Sequence, residues 1–342
     1  MLDAGPYAYA KACGIIGKSF IGKRISSLSA LRSLSELDRL VFPEHHRDLP
    51  ARELLSDIED RIIGRTVRQI MTITGSYENP PEIIVRMLRS YEYSDLKICI
   101  QHIASGKKEP PLFCDIGRFR TVNFDAFPDM NAMLKNTEFA FLLSQDLKNL
   151  KTGTDVAPIE TRIDTHFYNS LIDCLISLSP EDREITQRIL EDEISLRNCT
   201  WALRLRTYYH KIAGETVKNL MDIKLRDQKE GKKSSLAAEA VESLGFSLDS
   251  RPAWKGWKWE NLLNPEEASV HWAADPRFFQ NAASGYLYRL ASRNFHRVPM
   301  SVSSVFCFIK LKQFEEDLLT SIAEGLALGI DSANVFRLLE VS

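Results

Sequence analysis

The sequence predicts an all-α protein built from three similar helical domains, and three observations carry that prediction. Proline-led helix starts recur, at Asn79-Pro80-Pro81-Glu82, at Ser179-Pro180-Glu181-Asp182 and near Pro299 and Ser301. Each start runs on into an acidic and then apolar segment: Tyr91-Glu92-Tyr93-Ser94-Asp95-Leu96-Lys97, Glu193-Ile194-Ser195-Leu196-Arg197-Asn198 and Phe314-Glu315-Glu316-Asp317-Leu318-Leu319. The starts lie roughly 100 to 120 residues apart, the mark of one unit used three times. The boundaries this implies are 1–128, 129–233 and 234–342. A repeated scaffold with no shared catalytic residue points towards assembly and away from chemistry.

Taken in order, the segment from Tyr7 to Leu34 mixes Ala, Ile and Leu with Lys and Arg, and Gly14, Gly17 and Gly22 weaken a continuous helix. From Leu49 to Ile73 a helix follows, because Leu54, Ile58, Ile62 and Val67 recur near helical spacing. Asn79 reads as an N-cap with proline at the first helical position, and Glu82 stands where a capping-box acid belongs. Ser179-Pro180 with Asp182 repeats that chemistry. Pro110-Pro111, Gly117 and Pro128 break the stretch from Lys107 to Pro128, a link with a short strand expected near Thr121 to Phe124. The charged run from Asp222 to Ser235 reads as a frayed helix end passing into an exposed linker. Gly245 to Pro265 is irregular and holds Trp254, Trp257 and Trp259. Helix returns from about Asp275, with breaks around Pro299 and Gly329.

At 342 residues the chain can bury ample core. Its net charge of −2 drives no general attraction to nucleic acid or anionic lipid. The six cysteines are scattered, with no CxxC pair, and read as small buried thiols in a reducing compartment. No apolar run reaches the roughly 18 residues of a membrane helix. Lys11 and Lys18 interrupt the apolar N-terminus and argue against a signal peptide.

Candidate chemistry is sparse. Ala12-Cys13-Gly14-Ile15-Ile16-Gly17-Lys18-Ser19 fits a relaxed phosphate-loop pattern, and a nucleotide-binding protein using Gly17, Lys18 and Ser19 is one alternative reading. Such a loop needs a strand before it and βα units after it, and Tyr7 to Lys11 reads as helix. Glu44-His45-His46 lacks a third ligand at metal spacing and reads as an exposed loop after Pro43. The acid pairs Glu191/Glu193 and Glu315/Asp317 read as solvated helix faces in preference to acid–base dyads. Trp254-Lys255-Gly256-Trp257-Lys258-Trp259 could stack bases, which supports a helical scaffold for RNA or protein as a further alternative. Pro252, Gly256 and nearby acids interrupt any basic stripe, so indoles packed on the third unit's helices are the expectation. Arg204, Arg206, Lys211, Lys218 and Lys224 form a basic run. It either complements helix C-termini or meets an acidic partner. No catalytic, cofactor-binding or metal-binding residue is assigned.

Read together, these segments resemble the C subunit of V/A-type rotary ATPases (ATP synthases), the counterpart of the eukaryotic V-ATPase d subunit. The family's Tyr-Ala-Tyr-Ala-like opening appears as Tyr7-Ala8-Tyr9-Ala10-Lys11-Ala12. Its Asn-Leu-Lys-like element appears as Asp95-Leu96-Lys97 after Tyr91-Glu92-Tyr93. The second-unit element reads Glu193-Ile194-Ser195-Leu196-Arg197-Asn198-Cys199 and then Leu203-Arg204. The third reads Glu315-Glu316-Asp317-Leu318-Leu319-Thr320-Ser321-Ile322, with Gly325 following. The resemblance implies a funnel-shaped, pseudo-threefold helical protein on the cytoplasmic face of the membrane. It would sit as a monomer between the central-stalk shaft subunits and the proteolipid ring. It would turn with the rotor and pass torque between ATP chemistry and proton or sodium movement, catalysing nothing and binding no cofactor or nucleic acid. Membrane contact would come only through the ring. An adaptor of that kind is expected to be stiff and to lack buried titratable groups of shifted pKa. Lys107 to Pro111 and Gly245 to Pro265 are candidate end-on contacts.

Overall fold

Three buried acidic helix midsections organise the fold, and the chain between them supplies their partners. The structure, a computed structural model, describes residues 4–145, 147, 150–226, 233–266, 271–333 and 335. Twelve α-helices are described: α1 (Ala4–Ile16), α2 (Leu34–Val41), α3 (Ala51–Thr74), α4 (Glu82–Ala104), α5 (Met130–Leu134) and α6 (Leu142–Gln145), then α7 (Ala157–Cys174), α8 (Pro180–Tyr209), α9 (Ala213–Val217), α10 (Ala238–Ser243), α11 (Pro276–Phe295) and α12 (Val302–Ala327). Among the described residues the only strands are β1 (Lys224–Arg226) and β2 (Lys233–Ser235), an antiparallel pair with Leu225 opposite Ser234. The protein is all-α.

Helix starts follow local chemistry. Ser179 accepts the Asp182 N–H at 3.2 Å and donates its hydroxyl to the Asp182 carboxylate at 2.9 Å, a reciprocal cap on α8. Ser301 caps α12 by accepting the Ser304 N–H. The first start differs from the expectation. α4 begins at Glu82 with Pro81 as its cap residue, and no side chain caps it. Pro81 excludes helical backbone at Pro80, so Asn79 lies too early to serve as a cap. Glu82 pairs instead with Arg86 at 2.7 Å. Two further expectations are corrected. Thr121 to Phe124 forms no strand, and a 3₁₀ turn spans Phe124–Ala126. The stretch after Asp222 is a β-ribbon and not a frayed helix end, because α8 already stops at Tyr209, where His210 adopts left-handed backbone (φ 50°). Residues 227–232 of that stretch lie outside the described residues.

The long helices pack in a cyclic pattern. α4 lies against α7, α8 against α11, and α12 against α3. The first pair is joined by Lys97 to Asp164 at 2.9 Å and by a Tyr93–His166 hydrogen bond at 2.8 Å. In the second, the Tyr286 hydroxyl donates to Asp192 at 2.7 Å. In the third, Leu54, Ile58 and Ile62 of α3 meet Leu318, Leu319 and Ile322 of α12 in one buried cluster. That last contact brings the end of the chain back to its beginning. Ser332 reinforces it by donating both its N–H and its hydroxyl to the Leu31 carbonyl. Gly325 completes the fit, since a Cβ there would lie 2.4 Å from a Val335 methyl.

Polar side chains in the middle of each long helix pin distant backbone. Glu92 accepts the N–H groups of Thr121 and Val122, the latter at 2.6 Å. Asn198 donates to the Met221 carbonyl and accepts the Met221 N–H, at 3.1 and 2.9 Å. Glu315 accepts the Phe20 N–H at 2.7 Å, pairs with buried Lys312 and faces Arg65 at 3.5 Å. Lys312 also donates to Ser19 at 3.0 Å. Burial alone would raise the Glu315 pKa, but Lys312 and Arg65 hold it below the usual value.

Breaking this pair leaves an uncompensated buried ammonium. Glu315→Ala should cost about 3–5 kcal/mol in urea unfolding, whereas Lys312→Met with Glu315→Leu should cost clearly less.

Candidate functional site

A cavity of about 660 Å³ opens between the long helices. α4 contributes Ser90 to Ile98, α8 contributes residues between Ile189 and Arg204, and α12 contributes residues between Lys310 and Asp317, with α7 and α11 completing the wall. Its six carboxyl groups (Asp95, Glu160, Asp164, Glu193, Glu316 and Asp317) face three cationic side chains, Arg197, Arg204 and Lys310.

The carboxylate with most partners is Glu193. It accepts the Tyr168 hydroxyl at 2.8 Å, pairs with Lys310 from α12 and lies 3.5 Å from Arg197 one turn along α8. Burial opposes its charge, yet Lys310 and Arg197 hold its pKa below normal. Lys310 thereby ties α12 to α8 across the cavity wall. Arg197 and Asp317 remain open to water inside the concavity. Further along α12 Glu316 accepts the Tyr91 hydroxyl at 2.8 Å, and on α4 Asp95 accepts the Cys114 N–H at 2.9 Å. Burial pushes both carboxyls up to about 7, with Asp317 adding to the shift at Glu316. The Cys114 thiol is pushed up to about 12 by burial and by Asp95, which makes it a poor nucleophile at neutral pH. Among the described residues no three His, Cys, Asp or Glu side chains group to hold a metal ion.

The structure separates the motifs singled out in the sequence. Ala12 to Ser19 spans the C-terminal end of α1 and the turn after it, where Gly17 N–H bonds the Cys13 carbonyl and Ser19 hydroxyl bonds the Ile15 carbonyl. A helix C-terminus presents carbonyl oxygens, the wrong polarity for phosphate. The phosphate-loop alternative is therefore corrected: Ser19 serves the buried Lys312, and Gly17 and Lys18 form a turn. His45 and His46 lie in an exposed turn, as expected, with Arg61 donating to the His45 carbonyl at 2.6 Å.

Trp254, Trp257 and Trp259 are all buried, and each indole N–H has a partner, in Ser247, Glu239 and Ser195 respectively. They pack against α11 and also against the second half of α8. No indole face is left to stack a base. The basic run divides. Arg206 donates to the Ser243 and Phe246 carbonyls, and Arg204 to Gln280, so both hold the third segment onto α8. Lys211, Lys218 and Lys224 stay exposed.

The reading of acid pairs as solvated faces is corrected for Glu193 and Glu315 and stands for Asp317, which is exposed, while the expectation that buried shifted carboxyls are absent is corrected as well. Glu193 and Glu315 are buried and charged, because their partners come from Lys310 and from Lys312 with the distant Phe20 amide. Two lysines inside the apolar run Phe306-Cys307-Phe308-Ile309-Lys310-Leu311-Lys312 were the available signal, since such cations need buried counter-charges.

The profile of the ATP synthase (C/AC39) subunit family matches residues 33–335. The chain belongs to that family. The Tyr7 to Ala12 opening precedes the matched residues, so membership rests on the long helices and their links. A Treponema pallidum (strain Nichols) protein, described as uncharacterized, is 25% identical over 342 residues, covering 95% of this chain and 93% of its own. The C subunit of the A-type ATP synthase of Haloferax volcanii is 24% identical over 266 residues, covering 73% of this chain and 71% of its own. In this C/AC39 family member, no helix among the described residues is long and apolar enough to cross a membrane.

Glu193 has a folded pKa below its unfolded value. Its stabilisation is therefore present above the unfolded value and fades as pH falls through the folded one. Glu193→Gln should lower Tm at pH 7 and narrow the gap to wild type below pH 4.5, a difference that calorimetry across pH would read.

Proposed function

We propose that this chain is a non-catalytic coupling subunit of a V/A-type ATP synthase, seated between the central-stalk shaft and the membrane proteolipid ring. It transmits torque that links ATP turnover to proton or sodium transport, as a monomer held at the cytoplasmic face of the membrane. The observation that carries this reading is the cavity itself, in a chain of an ATP synthase subunit family. The same long helices enclose it, and buried ion pairs such as Glu193–Lys310 cross-link its wall. Those pairs resist shear between helices. A rigid open socket suits a part that is pushed by one partner and pushes another.

Three similar domains at 1–128, 129–233 and 234–342 form part of this reading, supported by the cyclic order in which α4, α8 and α12 each meet a long helix of the next segment. The relative from Haloferax volcanii, the C subunit of an A-type ATP synthase by name, supports the placement in a rotary complex.

Affinity purification of the tagged chain from membranes in mild detergent, followed by mass spectrometry, tests the proposal. Other rotary ATPase subunits should co-purify, and the chain alone should not hydrolyse ATP. Recovery of the chain by itself with ATPase activity of its own would refute it.

A further inference from the structure

The exposed part of the basic run shares a short stretch of chain with four exposed apolar side chains. Tyr208 and Tyr209 end α8, Ile212 is the residue before α9, and Val217 is its last. All four are exposed, Tyr209 at 62% and Ile212 at 69%. Lys211 and Lys218 stand beside them, exposed as well.

Folding does not account for this arrangement, because the turn is braced from its other side. The His210 and Lys211 N–H groups both donate to the Leu205 carbonyl. Thr216 is fully buried and its hydroxyl donates to the Ile212 carbonyl at 3.0 Å. Leu220 and Met221 are buried, and Asn198 grips the Met221 backbone through two hydrogen bonds. Apolar side chains grouped on a braced turn and rimmed by charge mark an interaction surface.

The chemistry of the rim selects the partner. Protein interfaces are depleted of lysine. A bilayer surface favours it, and takes tyrosine rings at the level of the headgroups. Among the described residues neither the Tyr208 nor the Tyr209 hydroxyl has a hydrogen-bond partner, and Lys218 has no acid to pair with. Lys211 meets Glu215 at 3.8 Å, a contact between exposed side chains that holds it weakly. Two lysines against one glutamate leave residues 208–218 positive in a chain whose net charge is −2.

We propose that this tip is a direct contact with the surface of an anionic bilayer. Tyr208, Tyr209, Ile212 and Val217 enter the headgroup layer, and Lys211 and Lys218 meet lipid phosphates. So few side chains give weak, salt-sensitive attachment and not an anchor. The contact goes beyond the coupling role, which needs no lipid, and rests on that role only for bringing a bilayer within reach. Binding is measured on the purified chain, so its failure and the failure of the coupling role are read in separate experiments.

The full chain is sedimented with vesicles of phosphatidylcholine alone, and of phosphatidylcholine with phosphatidylglycerol in a three to one ratio, at low and high salt. Wild type should partition onto the anionic vesicles, and high salt should release it. Lys211→Gln with Lys218→Gln should lower the partition constant roughly 10- to 30-fold. Tyr209→Ser with Ile212→Ser should abolish binding. All four positions are exposed, so Tm should match wild type in both variants. Lys107→Gln and Lys108→Gln with Leu112→Ser alters another exposed basic and apolar loop, and should bind as wild type does. Failure of wild type to bind anionic vesicles would overturn the proposal, as would an equal loss in the loop variant. Undiminished vesicle binding by both tip variants would overturn it too, and their failure then to co-purify with other subunits would assign the tip to a protein.

Discussion

Glu315 holds the molecule closed. Its carboxylate reaches a backbone amide at Phe20, a lysine on its own helix and an arginine on α3, and so fastens the last long helix to the first segments of the chain. A buried charge is tolerated only when paired and hydrogen-bonded, and here every partner comes from a segment that must be in place for the fold to exist. The same solution appears at Glu92, which pins the Thr121–Val122 backbone, and at Glu193, which joins α8 to α12. These mid-helix carboxylates act as fasteners between segments that hydrophobic packing brings together. Packing supplies the attraction, and the paired charges supply the register.

This division of labour explains what could be read in advance. Helix identity was legible because it is local. Apolar residues at Leu54, Ile58, Ile62 and Val67 mark α3, and Ser179 with Asp182 marks the start of α8. Family likeness was legible because the acidic midsections recur in order. The fate of those acids was not legible. Glu315 finds its amide 295 residues away, and no window of sequence contains both ends of that bond. The helix start at Glu82 failed for a local reason, since the steric effect of Pro81 on Pro80 outranks the capping preference of Asn79. The indoles of Trp254, Trp257 and Trp259 followed the simpler expectation, because burying a large ring with a bonded N–H outweighs leaving it wet.

The cavity joins two different electrostatic regimes. On the α8 side, cations compensate the acid and fix its charge over the neutral range. On the α4 side, burial outweighs the nearby Arg120 and Lys312 and raises the pKa of Asp95 and Glu316, while the Cys114 N–H and the Tyr91 hydroxyl hold the two carboxyls in place.

The pairing of α12 with α3 completes a circuit whose other two seams, α4 with α7 and α8 with α11, are bridged by covalent chain. At this one seam side chains stand in for a peptide linker. Substitutions that weaken this seam therefore act on the circuit as a cut in the backbone would at either of the other two.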